Sequence, residues 1–139
     1  MDEDKTVAAV GKITETLETT DRARGHLYSF HQLTGTADLQ LGEGCDMLRQ
    51  AGHSELAERI ERDLVGRNVL EDRWTFQIVE DYDDSYWTAF RAIEKEVRDA
   101  LTGGRRHLYE AGMKDDRRTH GHPDHTAGAE PTSDDGYSV

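Results

Sequence analysis

Residues 1–122 of this chain contain no proline, and the first one is Pro123. Proline is the strongest helix breaker, because it lacks the backbone N–H and its ring clashes with the preceding turn. A long proline-free stretch with little clustering of β-branched residues is typical of consecutive helices punctuated by glycines. The sequence therefore predicts an all-α fold, an antiparallel helical bundle with two long helices and shorter ones.

Apolar residues that recur at steps of three and four predict five helices. Their expected bounds are 4–19, 21–51, 55–65, 69–102 and 105–117. Glycines supply most of the breaks, and capping residues at 19–21 and 68–71 supply the others. Trp74, Phe76 and Ile78 alternate with polar residues, which is also a strand pattern, but no second strand is evident to pair with it.

The composition changes near residue 119. From there Gly, Pro, His, Asp and Ser dominate, and the helical periodicity is lost. Such a segment has too little apolar surface to offset the entropy of ordering it. We expect one helical bundle domain over 1–118 and a disordered, acidic, His-containing tail over 119–139.

The chain is strongly acidic, with a formal net charge of −12 at pH 7. Such a field repels phosphate backbones and anionic lipid heads, so we expect no nucleic-acid and no membrane partner. A single cysteine, Cys45, cannot form an internal disulfide, which fits a reducing cytoplasm, and its position beside apolar residues predicts a buried thiol. The arginine-rich, lysine-poor composition is typical of a GC-rich bacterial genome, while the acidity also fits a salt-loving host.

The hydrophobic content of 35% against 33% charged residues predicts a thin core. Thin helical domains recover buried area by associating, which favours a homodimer. Gly35 and Gly42 lie on one side of the predicted 21–51 helix, and each costs about 1 kcal/mol of helix propensity relative to alanine. Close approach of another helix would offset that cost. We expect it to come from a second copy or from the 69–102 helix of the same chain.

More than half of the Phe, Trp and Tyr residues lie between Trp74 and Phe90, interspersed with carboxylates. Large aromatics fill a thin core efficiently. They also form interface hot spots, and together with carboxylates they can line a pocket for a cationic ligand. These three interpretations stay open, and Trp74 and Trp87 are the candidate interface residues.

Two acidic pairs provide a candidate metal site: Glu58, Glu61, Glu80 and Asp83. Carboxylates three residues apart share a helix face, and two such pairs facing each other can hold Mg²⁺ through oxygen ligands. The spacing resembles the metal motif of all-α nucleotide pyrophosphohydrolases, which implies Mg²⁺-dependent hydrolysis of a nucleotide. The downstream Lys/Arg pattern of that family is not evident here. The same spacing recurs elsewhere in this acid-rich chain, so solvated helix faces are the competing interpretation.

Histidines suggest two further metal hypotheses. A carboxylate-bridged helical-bundle metal site requires Glu-x-x-His, and the nearest approach to it is the reversed His107-x-x-Glu110. Three tail histidines on a flexible segment can bind Zn²⁺, Cu²⁺ or Ni²⁺ loosely. They are His120, His122 and His125.

We therefore expect a protein without enzymatic activity and without a cofactor, acting by helix-mediated association with itself or with a partner protein. The competing hypothesis is a Mg²⁺-dependent nucleotide hydrolase that uses the four carboxylates named above, or a metal-binding helical bundle.

Overall fold

The computed structural model describes residues 2–128. All regular secondary structure in that range is helical. The elements are α1 (Glu3–Gln50), α2 (Ser54–Asp63), α3 (Thr75–Tyr82), a π-helical segment (Asp83–Trp87), α4 (Thr88–Thr102) and α5 (Leu108–Arg117). The segments from α3 to α4 follow one another without a break and form the second long helix. The described residues contain no strand, only an isolated bridge between Leu70 and Arg73. The all-α prediction, with two long helices and shorter ones, is confirmed.

The predicted break at 19–21 is wrong, because α1 runs through it as one helix. The hydroxyls of Thr19 and Thr20 donate to carbonyls four residues earlier, at 3.1 and 3.0 Å, and so bond within the helix instead of capping a new one. The Asp21 carboxylate accepts a hydrogen bond from Trp87 Nε1 at 2.7 Å and is not available as a cap either. α1 ends where predicted, before Gly52, whose φ of 90° favours glycine.

The second long helix begins at Thr75, later than the sequence predicts. The residues before it form a turn in which Arg73 N donates to Leu70 O at 3.1 Å. Trp74 precedes the helix, and its backbone N–H donates to the Gln77 side chain at 3.0 Å, which satisfies a donor at the helix start. The strand alternative for this stretch is wrong, since α3 covers it.

The chain divides into two compact units. The first unit consists of the residues up to Thr20 and those from Thr88 onward. The second unit spans Asp21–Trp87. Each unit draws on one part of α1 and one part of the second long helix. The boundary in α1 falls where the sequence suggested a break between helices, although the helix itself continues.

In the second unit α1 and α3 run antiparallel. Arg24 of α1 contacts Asp83, which follows α3. Two turns further along α1, His31 Nδ1 lies 2.6 Å from Thr75 Oγ1 at the start of α3. A later residue of α1 therefore contacts an earlier residue of α3. The thiol of Cys45 is buried, as predicted. The buried residues of this unit are Cys45, Ala57 and Val79.

The first unit has a largely polar interior. Its buried side chains are those of Val10, Glu94, Arg98 and Thr102, and Gly104 is buried as well. The guanidinium of Arg98 donates from Nε and Nη2 to the two Glu94 oxygens, at 2.7 and 3.1 Å, and from Nη1 to Gly104 O at 3.2 Å. Glu94 also accepts from Thr14 Oγ1 of α1 at 3.0 Å. Glu94 and Arg98 are therefore paired with each other, as burial of a charge requires.

The buried side of α4 is displaced by one residue from the apolar stripe that the sequence predicts. The stripe continues through Ile93, Val97 and Leu101, and the buried side consists of Glu94, Arg98 and Thr102. Ile93 is 60% exposed and Leu101 50%. The displacement is already present in α3, where Val79 is buried and Ile78 of the predicted stripe is only half-buried.

α5 packs against α1 at a glycine. A Cβ placed on Gly11 would lie 2.8 Å from Tyr109 Cβ, closer than carbon atoms approach each other without displacement. Only glycine leaves room for the start of α5 at this point. The residues His107 and Glu110 are held next to α1 by the same contact.

Candidate functional site

Arg24 is the cation at the centre of the aromatic and acidic region of the second unit. Its Nε and Nη2 atoms donate to the two Asp83 oxygens at 2.6 and 2.9 Å. Its guanidinium carbon lies 4.1 Å from the Trp87 ring centroid and 5.7 Å from that of Tyr28. Aromatic faces and a carboxylate in this arrangement favour a cation. The cation they hold is the chain's own arginine.

The hydrogen bonds from Arg24 lower the pKa of Asp83, against the opposing effect of partial burial. Because the folded-state pKa lies below that of the unfolded chain, this pair stabilises the fold at neutral pH, and the stabilisation is lost as the pH falls through the folded-state pKa. We expect Asp83→Asn to lower the free energy of unfolding by about 1–3 kcal/mol at pH 7. The difference from wild type should begin to shrink as the pH falls below about 4 and should continue to shrink as the pH falls through the lowered folded-state pKa. Urea unfolding at pH 7 and in acid measures it.

The neighbouring Asp84, which is exposed in the same π-helical segment, provides a matched control. Asp84→Asn should change the unfolding free energy by less than about 0.5 kcal/mol at either pH. A difference between Asp83→Asn and wild type that persists unchanged in acid would show that ionisation of Asp83 is not its cause.

The four carboxylates of the predicted Mg²⁺ site all lie in the second unit: Glu58, Glu61, Glu80 and Asp83. Glu61 accepts both hydrogen bonds of a bidentate pair with Arg49, which lowers the pKa of Glu61. Asp83 is paired with Arg24, while Glu58 and Glu80 are exposed. Within residues 2–128, the four do not supply three ligand atoms to one cluster. A metal ion at Glu61 and Asp83 would have to displace two arginines, and the Mg²⁺ site stays a prediction.

The stretch 25–42 of α1 contains a single charged residue, Asp38, although a third of the chain is charged. Asp38 is half-buried and accepts a hydrogen bond from the backbone N–H of Gly66 at 2.8 Å. We call the helix face that carries Tyr28, Gly35, Leu39 and Gly42 the uncharged side of α1. Tyr28 (45% exposed) and Leu39 (73%) are the large apolar side chains on it, and Phe30 (42%) and Leu33 (67%) are exposed on other faces of the same stretch.

Gly35 and Gly42 lie on the same stretch, and a Cβ added to either would meet nothing within 4 Å. The expectation that the second long helix of the same chain approaches these glycines is therefore wrong. There is free space beside both positions, and Gly35 is exposed to solvent while Gly42 is half-buried. The alternative expectation, approach by a second copy of the chain, stays a prediction.

The two tryptophans predicted at an interface have different surroundings. Trp74 is 58% exposed, and its ring centroid lies 5.4 Å from that of Phe76, which is 43% exposed. Trp87 is half-buried, with its indole N–H donating to Asp21 and its ring under Arg24. Trp74 is accessible to a partner, whereas much of Trp87 is engaged inside its own unit.

The tail histidines lie in hydrogen-bonded turns, as far as residue 128. Thr119 N donates to His125 Nδ1 and Asp124 N donates to His122 Nδ1, both at 3.0 Å. A neutral imidazole that accepts at Nδ1 carries its proton on Nε2, so metal binding would require these bonds to break. His120 and His122 are exposed and His125 is half-buried, and loose metal binding by them stays a prediction. The remainder of the predicted tail, 129–139, lies outside the described residues.

Comparisons with family models, curated proteins and solved structures gave no match. In the part of the chain from residue 2 to residue 128, no helix has both the length and the apolar composition that crossing a membrane requires. The molecule belongs to the class of acidic all-α proteins, and its distinguishing surface is the uncharged side of a long helix.

Two features of this region escaped the pattern analysis. The gap in charge over 25–42 is visible in the sequence, and a scan for charge-free stretches would have found it. The role of Arg24 is not visible there, because its partners Asp83 and Trp87 are distant in sequence and the pairing depends on the packing of two helices.

Proposed function

We propose that this protein acts by helix-mediated self-association, with a second copy docking on the uncharged side of α1. The observation that carries the proposal is an exposed helix surface without charge in a chain of net charge −12. Apolar side chains on the surface of a monomer are individually ordinary, but a continuous group of them marks an interaction site.

The charge distribution favours a second copy as the occupant. Two copies of a strongly acidic chain repel each other wherever their charged surfaces meet. In a symmetric dimer the same patch serves both partners, so a charge on it would face its equivalent. A contact through the uncharged side avoids this electrostatic repulsion. The neighbouring acidic residues would then lie outside the contact.

Open glycines support close approach of the two helices. Gly35 and Gly42 present no side chain, and nothing in their own chain fills the space beside them. A glycine in the middle of an exposed helix is otherwise a cost of about 1 kcal/mol. Leu39, between them in sequence, offers an exposed apolar side chain for the partner's surface.

Sedimentation velocity over a concentration series tests the proposal. We expect the wild-type chain to form dimers and Leu39→Glu to weaken the dimer by more than about tenfold in Kd, since each dimer would then bury two like charges. Leu56→Glu is the control, because Leu56 is exposed on α2, away from the uncharged side, and should leave the dimer unchanged.

A wild-type chain that stays monomeric at the highest concentration would contradict self-association. A dimer equally sensitive to Leu39→Glu and Leu56→Glu would place the contact elsewhere. Circular dichroism of each variant verifies that the helical content is retained.

A further inference from the structure

The first unit contains one cluster of metal-ligating side chains among the residues described, and it includes the reversed motif His107-x-x-Glu110. One ligand atom each from Glu18, His107 and Glu110 lies within 4.8 Å of the other two. Glu18 comes from α1, while His107 and Glu110 come from the start of α5. The three ligands therefore join two elements that are far apart in sequence.

The Glu110 carboxylate has an unexplained oxygen. Its Oε2 atom is inaccessible to solvent and has no hydrogen-bond partner. His107 Nδ1 lies 3.8 Å from Oε2, which is too far for a hydrogen bond. A buried oxygen without a partner costs free energy, and a bound cation would remove that cost.

His107 holds an unfavourable backbone conformation. Its φ of 61° lies in the left-handed region, which is uncommon for residues other than glycine. It occupies the position before α5, yet its side chain makes no capping hydrogen bond. Its carbonyl accepts the first hydrogen bond of α5 from Ala111 N at 2.8 Å. The same position leaves the imidazole beside Glu110, three residues later, since side chains at these two positions are neighbours.

We propose that Glu18, His107 and Glu110 bind a divalent transition-metal ion of the Zn²⁺ type. One imidazole and two carboxylates are the donor set that Zn²⁺ accepts with a water in the fourth position, whereas Mg²⁺ and Ca²⁺ prefer oxygen alone. Tetrahedral Zn²⁺ with bonds of about 2.0–2.1 Å sets its ligand atoms roughly 3.3 Å apart. Binding would require the ligand atoms to approach one another from the present separations of up to 4.8 Å, and the exposed side chains of Glu18 and His107 are the ones that would move.

Isothermal titration with ZnCl₂ tests the site in the full-length chain carrying His120→Gln, His122→Gln and His125→Gln, which removes the tail histidines as competing ligands. We expect one equivalent of Zn²⁺ to bind and to raise the Tm, since a ligand that binds only the folded state stabilises it. Glu18→Gln and His107→Gln should each weaken binding by at least roughly tenfold. Co²⁺ in place of Zn²⁺ should give a d–d absorption band that both variants lose.

Glu15→Gln is the matched control, one turn before Glu18 on α1 and also exposed, and it should bind Zn²⁺ like the parent. Absence of binding in the parent, or binding unchanged in Glu18→Gln and His107→Gln, would overturn the proposal. The exposed positions of Glu18 and His107 keep the test interpretable, because substitutions there should leave the helical signal intact, which circular dichroism verifies.

Discussion

Replacing Arg98 by methionine should destabilise the protein by about 3–5 kcal/mol, because Glu94 would be left as a buried carboxylate without a counter-charge. The two side chains are only 6% and 5% exposed and share two hydrogen bonds. Chemical denaturation monitored by circular dichroism gives the unfolding free energy. Because the cost comes from the isolated charge, the double variant Glu94→Leu/Arg98→Met should recover much of the loss.

The same helix carries a matched control. Lys95 and Asp99 form an ion pair with the same spacing at 2.7 Å, but their side chains are 52% and 47% exposed. Lys95→Met should change the unfolding free energy by less than about 0.5 kcal/mol, since exposed pairs of this kind contribute little. Equal effects of Arg98→Met and Lys95→Met would mean that burial does not set the importance of the Glu94–Arg98 pair.

Alanine substitutions at two glycines of the first unit should have opposite signs. Gly11→Ala should destabilise by about 1–3 kcal/mol, because the new Cβ would overlap Tyr109 Cβ and force the start of α5 away from α1. Gly112→Ala, in the middle of α5, should stabilise by roughly 0.5–1 kcal/mol, since its Cβ would meet nothing within 4 Å and alanine favours the helix. Thermal unfolding of both variants measures the difference, and destabilisation by Gly112→Ala would invalidate this account of glycine positions.

Much of the fold follows from local patterns in the sequence. Periodicity and the absence of proline are enough to predict helices, and Gly52 and Gly103 mark two of their ends. The break at 19–21 was wrong for a physical reason that the sequence does not reveal. Thr19 and Thr20 can bond to a preceding carbonyl or cap a following helix, and the packing of Asp21 on Trp87 favours the first.

The interior of the first unit is the part that pattern analysis missed most completely. Apolar periodicity predicts burial of Ile93 and Leu101, whereas the buried residues of α4 are a charged pair and a threonine. No rule of composition assigns Glu94 and Arg98 to a core, because charged residues are buried only when their partners are in place. That condition depends on Thr14 and Gly104, which are brought near by the fold.

The candidate surfaces were predictable to different degrees. Gly35, Gly42 and Trp74 were selected from the sequence as interface residues, and all three have accessible surface. The cluster around Glu110 was visible only as an incomplete motif. Its third member, Glu18, could not be assigned from spacing, because α1 carries several glutamates and only the position of α5 distinguishes Glu18 from the rest.

The two adjacent faces of α4 also determine which substitutions the helix can accept. One face is apolar, through Ile93 and Leu101, and the other is polar, through Glu94 and Arg98, and the polar face is the buried one. Polar residues at 93 and 101 would cost little, because both positions already face water. Positions 94 and 98 are expected to change only together, because a substitution at one of them would leave a lone buried charge at the other.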